Sequence, residues 1–107
     1  MKSGFVPDKG EIVWLDFDPQ AGHEQAKRRP ALVLSPKIYN KHGLMICCPI
    51  TSKVKGYPFE VAVDGGVVLA DQVKSLDWKI RHARPKDKAP AAAVQDVLAK
   101  VAALLGF

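Results

Sequence analysis

The stretch GHEQAKRR, residues 22–29, carries His23, Glu24, Lys27, Arg28 and Arg29 within seven residues. Glu24 is a hydrogen-bond acceptor and a base. His23 titrates near neutrality, and the two arginines are permanent donors. A planar guanidinium can hold two phosphate oxygens at once, which a lysine ammonium cannot. The set therefore suits proton transfer beside an anionic, phosphate-like group. The same residues in an ordinary loop would amount to surface ion pairs of about 0–1 kcal/mol, so the rest of the chain has to decide between the two readings.

The elements that would position this stretch are short. EIVWLDFD (11–18) reads as a first strand bounded by Gly10 and Pro19. PALVLS (30–35) reads as a second strand opening on a proline, and GLMICCPIT (43–51) as a third. FEVAV (59–63) and VVLA (67–70) flank Asp64-Gly65-Gly66, a compact hairpin turn in which Asp-Gly supplies positive φ. KIRHA (79–83) reads as a last strand. Apolar runs separated by Gly, Pro and Asp mark a small antiparallel β protein.

From Ala89 the period changes. Val94, Val97, Leu98, Val101, Leu104 and Leu105 recur three or four apart, with Pro90 in the first turn and Gly106 at the C-terminal cap. This predicts an amphipathic closing helix whose stripe faces the core. The fold class expected is mainly β with α: a small SH3-like antiparallel barrel, because closure removes exposed edges, with the helix plugging or flanking it. The 107 residues suit one domain spanning 1–107.

Sixteen Lys and Arg against eleven Asp and Glu give +5, with a pI near 9.4. The excess is uneven. Residues 37–57 hold Lys37, Lys41, Lys53 and Lys55 and no acid, and residues 79–88 hold Lys79, Arg81, Arg84, Lys86 and Lys88 against Asp87 alone. Two basic clusters are the footprint expected for a polyanion, and a solvated basic surface would look the same. Cys47 and Cys48 are adjacent in a strand and point to opposite faces, so they read as small buried hydrophobes rather than a disulfide or a zinc pair. No apolar run reaches the ~18 residues of a membrane span, and the expectation is a protein of the cytoplasm.

VPDKGEIVWLDFDP, GHEQAKRRPALVLSP, YPFEV and LADQVKSLDW together resemble the MazF/PemK toxins of bacterial toxin–antitoxin pairs. The likeness runs from about Val6 to the C-terminal helix. It implies an SH3-like barrel with helices, a homodimer, and a metal-free, cofactor-free endoribonuclease (an mRNA interferase) that cuts single-stranded RNA at short sequences. It also implies a cognate antitoxin whose acidic, disordered tail silences the enzyme. Matched residue by residue, the family's arginine in the RP step falls on Arg29, its threonine at the end of strand three on Thr51, and its glutamate in the EQA step on Glu24. Some relatives have histidine just before the arginine, where this chain has Arg28, and the connection around Asp64 is shorter here than in several of them.

Such an enzyme needs no nucleophile of its own, because the RNA 2′-hydroxyl attacks the adjacent phosphate. It needs a base, donors for the charge on the phosphorane, and something to protonate the leaving oxygen. Arg29 suits charge stabilisation and Thr51 a hydroxyl donor; the base stays open between Glu24 and His23. His23, Lys27, Arg28, Lys53, Lys55, Lys79, Arg81 and Arg84 would contact RNA, largely through phosphates. Trp78 reads as the more exposed tryptophan, able to stack a base, and Trp14 as core. The rivals are a non-catalytic barrel that binds nucleic acid or poisons a protein such as gyrase, and an inactive homologue serving as an interaction module.

Overall fold

A computed structural model describes residues 4–17 and 28–107. Among these residues seven antiparallel strands form one curled sheet: β1 (Glu11–Asp16), β2 (Arg28–Val33), β3 (Leu44–Thr51), β4 (Glu60–Val63), β5 (Gly66–Leu69), β6 (Lys74–Asp77) and β7 (Arg84–Lys88). A helical turn, α1 (Lys37–Asn40), joins β2 to β3, a 3-10 turn spans Ala70–Gln72, and α2 (Ala91–Leu104) closes the fold.

The sheet runs β4-β5-β3-β2-β1-β7, with β6 paired to β3 off this path. β3 is the pivot. Its first half pairs β6 (Met45 with Leu76) and its end pairs β5 (Ile50 with Val68), while β2 takes part of its length through Ala31–Pro49, Leu32–Cys48 and Val33–Cys47. Handing one strand from β6 to β5 bends the sheet into a half-barrel. The path does not close between β4 and β7 among the described residues, so the full closure expected from edge protection is replaced by strong curvature. The edge at β7 carries Arg84, Lys86, Asp87 and Lys88, charges of the kind that discourage further strand addition.

Because strand side chains alternate, the curled sheet buries two sets of residues. Ile12, Leu32, Leu34, Cys48, Ile50, Val61 and Val68 pack under α2 through Ala93, Val94 and Val97. Val13, Leu15, Ala31, Val33, Met45, Cys47 and Trp78 form the second set. Cys47 and Cys48 are both buried and free, one in each set, and burial pushes each thiol up to about 12. α2 ends as expected: Gly106 (φ +88°) donates to the Ala103 carbonyl and Phe107 to that of Ala102, a Schellman motif. Its stripe is core only in part, since Leu104 and Leu105 are exposed. No helix among the described residues is long and apolar enough to cross a membrane.

Three expectations need correction. KIRHA is not a strand. Asp77 Oδ1 accepts from the amides of Lys79 and Ile80 at 3.1 and 3.0 Å, which turns the chain, and the last strand forms one step later at Arg84–Lys88. The strand reading at 30–35 shifts, because β2 starts at Arg28 and holds Pro30 at its third position. The tryptophans exchange places: Trp78 is 5% exposed and Trp14 37%. The Trp78 indole N–H donates to the Asn40 carbonyl at 2.7 Å, and Phe5 meets its ring edge-on, so it has no open face for a base.

Candidate active site

Arg29 and Thr51 are brought together by strand register. Ala31 faces Pro49, and continuing that antiparallel count two residues outward brings Arg29 level with Thr51. With Pro30, Ile50, Ser52, Lys53 and Gly65 they line one cleft of ≈ 350 Å³. Arg29 is exposed at its rim and, among the described residues, is in no salt bridge. The Thr51 hydroxyl accepts the Lys53 amide at 3.1 Å. One of its two acceptor positions is thus occupied, and among the described residues its own proton is given to no acceptor, which leaves it for a ligand oxygen.

The cleft wall depends on the β4–β5 hairpin. Of its two turn residues Gly65 alone has positive φ, +88°. The next residue, Gly66, lies against Thr51: a Cβ there would sit 2.2 Å from the Thr51 carbonyl oxygen. The absent side chain is what lets β5 approach the end of β3. Below, the Glu60 carboxylate accepts the amides of Gly56 at 2.8 Å and Lys55 at 3.1 Å, tying down the segment that bears Lys53 and Lys55.

On the opposite side of β2, Arg28 is already occupied. Its Nη1 donates to Asp16 Oδ1 at 2.7 Å and its Nη2 to the His82 carbonyl at 3.0 Å. The other Asp16 oxygen lies 2.8 Å from His82 Nδ1. The bond from His82, and then that from Arg28, holds the Asp16 carboxyl below its ordinary value of 3.8 against the opposing effect of burial. Arg81 Nη1 donates to the Phe17 carbonyl at 2.8 Å. His82 has φ +55°, the only non-glycine residue in the left-handed region among those described, a conformation that costs of order 1 kcal/mol. The arginine set therefore divides. Arg28 and Arg81 hold the end of β1 and the start of β2, while Arg29 faces the cleft.

Lys79 and Arg84 are exposed and share a second cleft of ≈ 400 Å³ with Phe5, Trp78, His82, Ala83 and Pro85. Lys79 Nζ lies 5.5 Å over the Trp78 ring. His23, Glu24 and Lys27 lie outside the described residues. Sequence reasoning missed the Asp16–Arg28–His82 cluster, because its members come from three segments up to 66 residues apart; a lone aspartate ending a strand is no signal by itself. Exposed Trp14, with Lys86 Nζ 5.2 Å over its ring, was likewise read as core.

Residues 8–105 match the family model for the PemK-like, MazF-like toxin of type II toxin–antitoxin systems. The chain is 50% identical to the endoribonuclease toxin MazF of Escherichia coli K12 over 99% of this chain and all of that one. It is 32% identical to the E. coli endoribonuclease PemK over 92% of this chain and 81% of that one. Among solved structures, MazF from Deinococcus radiodurans superposes with a TM-score of 0.88 at 55% identity, covering 97% of this chain and 100% of that one. The MazF chain of a MazE–MazF complex from the same organism superposes at 0.86 and 47% identity, covering 97% and 100%. Near-complete coverage, this level of identity and the curled sheet with its closing helix all agree: the chain belongs to the PemK/MazF toxin family.

Proposed function

We propose that this chain is an endoribonuclease toxin that cuts single-stranded RNA at short sequences, without a metal, by attack of the 2′-hydroxyl on the adjacent phosphate. The observation that carries the reading is the meeting of Arg29 and Thr51 in one cleft. Arg29, exposed and in no salt bridge among the described residues, stabilises the charge that gathers on the phosphorane and can protonate the leaving oxygen. Thr51, whose acceptor side holds the Lys53 amide, donates its hydroxyl proton to a second phosphate oxygen. Glu24 or His23 takes the 2′-hydroxyl proton. The step balances within the RNA: the O2′–P bond forms as the P–O5′ bond breaks, leaving a 2′,3′-cyclic phosphate and a free 5′-hydroxyl.

Lys53, Lys55, Lys79 and Arg84 supply phosphate contacts along the exposed surface, with Lys27 from the loop. Arg28 and Arg81 contribute from behind, since their described hydrogen bonds run to the protein itself. The same basic surface takes the acidic tail of a cognate antitoxin; relatives at 47–48% identity are seen in MazE–MazF complexes. The protein works as a homodimer in the cytoplasm.

The test is incubation of the purified protein with a long single-stranded RNA in EDTA, with ends mapped by primer extension and their phosphates analysed. Cuts at one recurring short sequence carrying 2′,3′-cyclic phosphates are expected. Intact RNA in the presence of folded, RNA-binding protein would overturn the reading in favour of a non-catalytic barrel.

A further inference from the structure

A histidine in the left-handed region is an anomaly that glycine would relieve, and here three bonds hold it there. The His82 amide donates to the Lys79 carbonyl at 3.1 Å, its carbonyl accepts from Arg28 at 3.0 Å, and its ring meets Asp16 at 2.8 Å. A carboxylate only accepts, so Nδ1 carries the proton in that bond. Asp16 is directly opposite Arg28 across the β1–β2 ladder, and Arg29 is the next residue, facing the other side of the sheet beside Leu15. The side chain of His82 is 69% exposed, so it is not retained to fill a core. A strained backbone holding an ionisable ring against the residue that anchors the start of β2 points to function rather than packing.

We propose that His82 is a positioning residue for cleavage: through Asp16 and Arg28 it fixes the first residues of β2 and thereby aims the Arg29 guanidinium into its cleft. The proposal rests on the role given to Arg29 above. Misplacing a charge-stabilising group lowers the rate of the chemical step while leaving ground-state binding little changed.

The test uses three variants of the full chain. His82→Gly accepts the backbone angle and removes the ring. His82→Asn tolerates the same angle and returns a donor near the position of Nδ1. Asp16→Asn breaks the ring's anchor. In H82G kcat should fall about ten-fold with KM and its salt dependence unchanged and with no loss of Tm; H82N should recover most of the rate, and D16N should resemble H82G. Unchanged kcat in H82G would overturn the proposal, leaving the turn as a spacer. A raised KM with a shallower salt slope and intact kcat would overturn it in favour of direct RNA contact.

Guanidinium resonances of Arg28 and Arg29 give a readout independent of cleavage. Both should move in H82G and return in H82N. Movement at Arg28 alone would break the relay. If the wild-type chain cuts no RNA, or R29A cuts as well as wild type, the cleavage reading fails while the spectra still decide whether His82 positions Arg29.

Discussion

Arg28 and Arg29 leave β2 on opposite sides of the sheet, and their surroundings differ accordingly. On the Arg28 side the Asp16 carboxylate, the His82 carbonyl and the His82 ring close on one another through bonds of 2.7–3.0 Å. On the Arg29 side the cleft holds a guanidinium in no described ion pair and a threonine hydroxyl with a proton to give. A group that must stabilise charge arising during a reaction needs bonding capacity left over in the resting protein. A group that holds such a residue in place needs none. Two chemically identical neighbours thus differ in surroundings, one with its partners built in, and the proposed reading gives them different roles for that reason.

The sharpest way to break this comparison is to truncate each arginine in turn. Arg29→Ala should lower kcat for RNA cleavage by about 10³-fold with Tm little changed. Arg28→Ala should cost far less, about ten-fold. Single-turnover assays on one RNA decide, and equal losses would abolish the distinction.

The next largest effect falls on the cleft wall. Gly66→Ala would push a methyl into the Thr51 backbone, with contacts of 2.2 and 2.9 Å to its carbonyl oxygen and carbon. Neither backbone atom can step aside alone, so a stability loss of about 2–3 kcal/mol is expected in urea unfolding, with cleavage falling as Thr51 shifts. A stable, fully active variant would show that β5 does not set the cleft.

Behind both sides stands the core around Trp78. Trp78→Phe keeps an aromatic ring but removes the indole donor to the buried Asn40 carbonyl, which among the described residues keeps only the Gly43 amide at 2.9 Å. About 1–2 kcal/mol of stability should be lost, with KM for RNA unaltered. A rise in KM at unchanged stability would return Trp78 to the binding surface.

The smallest effect is electrostatic. Asp16 is held below 3.8, first by His82 and then by Arg28. A depressed carboxylate contributes stability that is complete above 3.8 and fades as the pH falls through the lowered value in the folded protein. Asp16→Asn should remove that acid-limb slope, by less than about 1 kcal/mol, with wild type and variant converging in strong acid. An unchanged slope in acid unfolding curves would mean that the three-residue cluster contributes nothing to folding.

The strands that carry apolar alternation were legible, as were the Asp64-Gly65 turn and the closing helix, because period and punctuation are local properties. β7 was not. Arg-Pro-Lys-Asp-Lys is exposed at every position and is a strand through its backbone pairing to β1 alone, which leaves no hydrophobic signal. Ile80, which suggested a strand at 79–83, is 63% exposed in a turn. The tryptophans were misassigned because neighbours in sequence say little about which face of a curled sheet is covered: Trp14 faces outward between buried Val13 and Leu15. The family motifs singled out Arg29 and Thr51, which the fold brings to one cleft; the roles given to them are those proposed above. Asp16 and His82 were not legible, since only the return of the chain after β6 brings them within 3 Å.

The back-to-back cysteines of β3 have a practical consequence. Each thiol sits in a different half of the interior, and with its pKa pushed up to about 12 it is inert while covered. An alkylating reagent can reach either sulfur only when the strand at the centre of the sheet is exposed. The rates at which Cys47 and Cys48 are labelled are therefore two internal clocks. Equal rates would mean that the molecule opens as one cooperative unit; unequal rates would reveal which side of the sheet is uncovered first.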